Sequence, residues 1–195
     1  IISYLEESNH IALVTDAGTP SISDPGYHLL SKLYPEINVI PIGIEKNYAE
    51  NVSIERKSFW EKKIGKPFFL FVGVLRDYKG LKYAVEAFNQ VDSLLVIAGD
   101  GPQNKILQNI VNKKSIKNVI FLGKINEVDK KCLLDLCYAF IFPSHLRSEA
   151  FGVSLLEASI FKKAMITCDI STGTSYVNRH NETGFVVKPA SISEL

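Results

Sequence analysis

Beyond residue 66 the chain alternates between short runs in which nearly every residue is apolar and stretches in which apolar residues recur on one side only. The run "PFFLFVG" is rich in aromatics and closes on Gly73, which predicts a fully buried strand. "KGLKYAVEAFNQV" follows, with Leu81, Ala84, Val85 and Phe88 at i, i+3, i+4 and i+7, the spacing of one helical face. The same alternation returns in "SLLVIAGDGP" and "QNKILQNIVNKK", "NVIFLGKI" and "NEVDKKCLLDLCY", "AFIFPS" and "FGVSLLEASIFK", and lastly "AMITCD" before the looser "GFVVKP".

Strands without alternation, each followed by an amphipathic helix, require a parallel sheet covered on both faces. The expected fold class is therefore α/β, a doubly wound, Rossmann-like parallel sheet over residues 67–195, possessing its own core and truncated at its C-terminus. Upstream, "EKNYAENVSIERKSFWEKKIG" is polar and aperiodic apart from a short helix around Trp60, so residues 31–66 read as an interdomain strand and linker. "INVIPIGI" and "HIALVTDA" are further strand candidates, which makes the N-terminal 45 residues part of a second, incomplete α/β fragment. The chain begins at Ile1 with no methionine and no signal-like region, and we read this as a truncation.

Composition narrows the partners. With 195 residues, 46% apolar and 22% charged, the chain supports one full core, and a net charge of +1 with intermixed signs provides no broad field for nucleic acid or an anionic membrane. Any phosphate must be bound locally. Cys132, Cys137 and Cys168 are odd in number, and the five-residue step between the first two suits neither a zinc site nor a redox pair. Buried, reduced thiols are expected, and with them a cytoplasmic location. The longest apolar run, "PFFLFVGVL", is too short to cross a bilayer.

In an open parallel sheet, ligands collect outside the carboxyl ends of the strands. Gly73 with Arg76 and Lys79, then Gly99-Asp100-Gly101, Gly123-Lys124, and Ser144 to Glu149 all fall at such ends. Helix starts near Gly80 and Gly152 offer unpaired amides, and Arg76 and Lys79 offer positive charge, a lining suited to a diphosphate. Glu149 and Glu157 suit hydroxyls better than phosphate, because a carboxylate accepts two hydrogen bonds from a vicinal diol. One glutamate on each side of a diphosphate describes a nucleotide sugar. Blander readings exist for each residue alone: Lys79 as a solvated helix end, Glu149 as a first-turn carboxylate, and His145 and His180 as structural loop histidines.

The segment from about Asn38 to Leu195 resembles the C-terminal, donor-binding half of GT-B-fold retaining glycosyltransferases of family 4, the glycosyl transferases group 1. The resemblance is carried by "FVGVLRDYKG", "VIAGDGP", "FLGKI", "FPSHLRSEAFGVSLLEA" and "GTSYVNRHNETGFVVKP", with Glu149 and Glu157 on the E-x7-E motif. It implies that Glu149 positions the transferred sugar, Glu157 holds the nucleotide ribose, and Lys79 binds the diphosphate. Amides at Phe151, Gly152 and Val153 would cradle phosphate and sugar, the backbone near Leu122 would meet the base, and Gly73, Arg76 and Gly101 would complete the lining. Val74 stands where many members carry arginine, leaving Arg76 as the nearest guanidinium.

The same resemblance implies no cofactor and no metal, and the chain has no Asp-x-Asp pair. The donor is expected to be a GDP- or UDP-sugar, with "VGVLRDYKG" and "GTSYVN" favouring GDP-mannose through their likeness to bacterial O-chain mannosyltransferases. The acceptor would be a glycan or lipid-linked chain bound by a missing N-domain, in the synthesis of lipopolysaccharide or another surface polysaccharide. The full enzyme would work in the cytoplasm at the inner face of the membrane, with peripheral membrane association, and this fragment alone would be inactive.

Residues 1–30 differ in kind. "IALVTDAGTPSISDPGYHLL" resembles the cofactor loop of small-subunit ribosomal RNA cytidine 2′-O-methyltransferases of the tetrapyrrole-methylase family, which use S-adenosylmethionine. The run from Asp16 to Gly26 carries the likeness. This suggests a methyltransferase fragment as the alternative function, and a gene chimera, an artificial assembly or a divergent N-domain end as its origin. Asp16 and Asp24 have no sequence partners for chemistry in any of these cases.

Overall fold

The computed structural model describes residues 43–45 and 47–195. The methyltransferase-like segment with Asp16 and Asp24, the strand expected at "HIALVTDA" and most of "INVIPIGI" lie outside the described residues.

Six strands, β1 (Phe68–Val72), β2 (Leu94–Ala98), β3 (Val119–Gly123), β4 (Ala139–Phe142), β5 (Ala164–Cys168) and β6 (Gly184–Val187), form one parallel sheet in the order β3-β2-β1-β4-β5-β6. Between them run α2 (Leu81–Phe88), α3 (Asn104–Lys113), α4 (Glu127–Leu136), α5 (Val153–Ile160) and the short α6 (Thr174–Val177). This is the Rossmann-like architecture expected from the alternation of apolar runs and amphipathic stretches. The central strands carry no polar face because both faces are covered: Leu70, Phe71, Leu95, Val96, Ile97, Phe140 and Ile141 are fully buried. Edge strands β3 and β6 are only partly covered. On α2 the predicted stripe of Leu81, Ala84, Val85 and Phe88 is the buried one.

Strand order reverses between β1 and β4. Chain leaving β1 moves toward β2 and β3, whereas chain leaving β4 moves toward β5 and β6, so the loops at their carboxyl ends diverge and open a crevice.

The stretch read as a surface linker is more ordered than its pattern suggests. An 11-residue helix, α1 (Ile54–Ile64), starts at Ser53, whose hydroxyl accepts from the Arg56 amide, and stops at Gly65 in the left-handed conformation. Its periodicity is weak because a single residue, Trp60, supplies the buried face. Trp60 Nε1 and Arg56 Nε both donate to Asp129 Oδ1 on α4 at 2.8 Å, and Lys57 pairs with Asp135 at 2.6 Å. The helix is thereby fastened to the sheet domain. Cys132, Cys137 and Cys168 are buried free thiols, and burial pushes Cys137 up to about 12 and Cys168 to about 11. No helix among the described residues is long and apolar enough to cross a membrane.

Candidate functional site at the strand carboxyl ends

The loop after β1 and the loop after β4 face each other across the strand-order reversal, and glycine makes their approach possible. Gly80 has φ +66°, and a Cβ there would lie 2.0 Å from the Pro143 carbonyl oxygen. His145 strengthens the junction: its amide donates to Tyr78 O at 2.9 Å, and its Nδ1 lies 3.2 Å from the same oxygen. Burial, with the nearby Lys82 ammonium adding to it, lowers the affinity of His145 for a second proton, so the ring stays neutral at physiological pH. His145 is thus a brace between the two loops.

This brace delivers Lys79, at the end of a 3-10 turn (Asp77–Lys79), directly onto Glu149. Their side chains are only 11% and 9% exposed, which rules out Lys79 as a solvated helix end. Ser144 Oγ donates to the same Glu149 oxygen, Oε2, at 3.1 Å. The Lys79 ammonium also lies 4.6 Å from the Phe142 ring centre and 5.3 Å from that of Tyr78, where the ring faces favour a cation. An ammonium has three donors, so the Glu149 bond leaves capacity for an incoming anion. Glu149 itself belongs to the loop and not to the first turn of α5, whose N-cap is Gly152.

Gly152 has φ +82°, and a Cβ there would meet the Phe142 ring at 2.9 Å. Its conformation turns the chain into α5, with Phe151 half-buried and Val153 exposed at the mouth. The wall continues beyond: Gly173 N donates to Ala150 O at 2.8 Å, holding the β5–β6 connection against the α5 entry. That connection is anchored by Asn178, fully buried, which donates to Thr167 Oγ1 at 2.9 Å and to Phe185 O at 3.0 Å. His180 accepts from the Val186 amide at 3.0 Å and shapes the β6 turn.

The second glutamate, Glu157, lies one turn into α5 and is buried. Its Oε1 is held by Lys130 Nζ from α4 at 2.7 Å and by the Tyr48 hydroxyl at 2.9 Å. Burial alone would lower the proton affinity of Lys130, yet its hydrogen bonds to Glu157, Glu127 and Tyr48 outweigh it and hold the ammonium charged. Burial likewise raises Tyr48 well above the usual phenol range, keeping the hydroxyl a donor. Lys130 and Tyr48 did not emerge from the sequence. The only local signal is Glu127 three residues before Lys130, an ordinary helical ion pair at 2.9 Å.

On the other side of the crevice, Gly73 closes β1, its amide donating to Ala98 O at 3.1 Å, and Gly101 packs against the Leu75 backbone, where a Cβ would be 2.7 Å from Leu75 N. Leu122 is half-buried in β3. Arg76 is exposed and makes no salt bridge among the described residues. A hollow of about 550 Å³ lined by Glu61, Lys66, Phe68, Leu136 and Tyr138 lies at the amino ends of the strands, on the opposite edge of the sheet. No helix start converges there, which leaves the Lys79–Glu149 edge as the candidate site.

Residues 53–195 match the family model for glycosyl transferases group 1. The chain is 45% identical over 162 residues to the D-rhamnosyltransferase WbpZ of Pseudomonas aeruginosa, covering 83% of this chain and 42% of that protein. It is 39% identical over 171 residues to the O-antigen chain mannosyltransferase C of Escherichia coli, covering 86% of this chain and 46% of that one. It therefore spans less than half the length of these curated relatives. Among solved structures, Anabaena HepE in complex with UDP superposes with a TM-score of 0.70 at 21% identity, covering 80% of this chain and 45% of that chain. A separate, short match, 49% over 43 residues, is to the ribosomal RNA small subunit methyltransferase I of Pasteurella multocida and covers 15% of that enzyme.

Proposed function

Because the chain belongs to the family of glycosyl transferases group 1, we propose that it is the donor-binding half of a retaining hexosyltransferase that takes a manno-configured sugar from a nucleoside diphosphate, GDP in preference to UDP. The observation that carries this reading is the buried Lys79–Glu149 pair at the strand-order reversal, with a second tethered carboxylate, Glu157, one helical entry away. The names of two relatives, a D-rhamnosyltransferase and an O-chain mannosyltransferase, support the sugar class and a role in building a surface polysaccharide.

In this reading Lys79 and exposed Arg76 receive the diphosphate. The amides of Phe151, Gly152 and Val153, at the start of α5, add hydrogen bonds to phosphate and sugar. Glu149, kept in place by Lys79 and Ser144, accepts from sugar hydroxyls, and Glu157 accepts from the ribose. The base lies against the backbone near Leu122, with Gly73 and Gly101 permitting close approach. As the sugar–phosphate bond breaks, charge grows on the leaving diphosphate, and preorganised Lys79 stabilises it, as an oxyanion hole does for an acyl transfer. Glu149 is a positioning carboxylate here, not a nucleophile. The acceptor, a glycan or lipid-linked chain, is supplied through a further domain, and the donor half alone does not turn over.

Calorimetric titration of the chain with GDP, UDP, GDP-mannose, UDP-glucose and S-adenosylmethionine tests this. Binding of GDP and GDP-mannose that is lost in Lys79→Ala and weakened in Glu157→Ala is the expected result. Binding of S-adenosylmethionine alone refutes it in favour of the methyltransferase-like segment.

A further inference from the structure

Glu157 is held asymmetrically. Both of its protein partners, Lys130 at 2.7 Å and Tyr48 at 2.9 Å, lie on Oε1, and Oε2 has no hydrogen-bond partner among the described residues. The tyrosine hydroxyl has one proton to give, and although Glu127 Oε2 is also within 3.2 Å, the shorter contact is to Glu157. Lys130 is in turn steadied by Glu127 Oε1 at 2.9 Å, and its side chain is only 14% exposed. A carboxylate with one edge filled and fixed presents the other edge in a single orientation.

We infer that Lys130 is a positioning residue for the donor: with Tyr48 it fixes the Oε1 edge of Glu157 and presents Oε2 to the ribose hydroxyls of the nucleoside diphosphate. This rests on the reading of Glu157 as the ribose acceptor. It assigns a part in donor recognition to the first turn of α4, which issues from the loop after β3, and to Tyr48 in the segment leading into α1. A purely structural ion pair would lower affinity, if at all, for every ligand alike. A positioning role instead predicts loss of the contribution of the ribose hydroxyls alone.

The test compares GDP with 2′,3′-dideoxy-GDP on the native chain and on Lys130→Met, Lys130→Arg and Tyr48→Phe. Hydrogen bonds to a charged acceptor predict a native preference for GDP of about 10- to 100-fold. In Lys130→Met that preference falls to about threefold or less, while affinity for dideoxy-GDP stays within about threefold of native. Lys130→Arg restores part of it, and Tyr48→Phe, which deletes one oxygen from a half-buried ring, reduces it to an intermediate value. Retention of the full preference in folded Lys130→Met overturns the inference while leaving Glu157 as the ribose ligand. Should Lys130→Met fail to fold, an unchanged preference in Tyr48→Phe overturns it equally. A native chain that binds both nucleotides alike refutes the ribose role of Glu157, and the inference with it.

Discussion

Removing one member of the Lys79–Glu149 pair should destabilise the domain far more than removing both. With side chains 11% and 9% exposed, neither charge can be rehydrated in place. Lys79→Met leaves a buried carboxylate with Ser144 Oγ as its remaining side-chain donor, and breaking a buried pair from one side costs about 3–5 kcal/mol. Glu149→Gln leaves a buried ammonium that keeps the rings of Phe142 at 4.6 Å and Tyr78 at 5.3 Å, worth about 1 kcal/mol in partial compensation. Lys79→Met should therefore be the worse of the two by about 1 kcal/mol. The double variant should return to within about 1.5 kcal/mol of native, since no unpaired charge remains. Urea unfolding followed by the fluorescence of Trp60, the single tryptophan, measures this. With a slope of about 2 kcal/mol/M, the Lys79→Met midpoint should fall by about 1.5–2.5 M and largely recover in the double variant. Added GDP at about 100 times its dissociation constant should stabilise the native chain by about 2.7 kcal/mol and the double variant not at all. A Lys79→Met midpoint within about 0.3 M of native would refute the claim that this pair is desolvated.

The remaining predictions concern the frame around the pair. Gly80→Ala should destabilise by at least about 2 kcal/mol and abolish nucleotide binding, because a Cβ 2.0 Å from the Pro143 carbonyl adds a clash to the left-handed penalty; an unchanged thermal midpoint would contradict this. Asp129→Ala should release α1 and shift Trp60 emission to the red at a cost of about 1–3 kcal/mol, since the buried Trp60 indole loses its acceptor and the partly exposed Arg56 its ion pair; blue-shifted emission would show the helix docked without it. The buried thiols should resist an aromatic disulfide reagent at pH 8 and react at the rate of unfolding. Their folded values, about 12 for Cys137 and about 11 for Cys168, lie above those of the unfolded chain, so the unfolded state binds fewer protons in alkali. Their contribution to stability is full below about pH 8.5 and is lost as pH rises toward 11–12, which an alkaline unfolding series reads directly.

Strands β1 to β5 were legible because their runs are almost wholly apolar, a pattern that needs no tertiary information, whereas the partly covered edge strand β6 showed only as the looser "GFVVKP". Helices α2 to α5 followed from stripes such as Leu81, Ala84, Val85 and Phe88. Helix α1 was legible only as a short helix around Trp60 within a linker, because its docking rests on one aromatic ring and on Asp129, 69 residues away. The candidate site divides similarly. Lys79, Glu149 and Glu157 stand at strand ends and in a spaced motif, so sequence order exposes them. The partners that aim Glu157 come from 27 and 109 positions away, and residue spacing carries no trace of such contacts. Asn178 was likewise hidden inside a turn-rich stretch that reads as loop.

The Trp60–Asp129 clasp also bears on how such chains can be recombined. A crossover that begins at the first strand, Phe68, would discard α1 and leave Asp129 and the Trp60 niche on α4 facing solvent. A crossover at Ser53 carries the clasp with the sheet. Chimeras that exchange the segment ahead of the sheet domain should therefore keep their stability with a joint just ahead of Ser53, lose it with one ahead of Phe68, and need a joint ahead of Tyr48 to keep the Glu157 contact as well, which makes the helix, and not the first strand, the portable edge of the module.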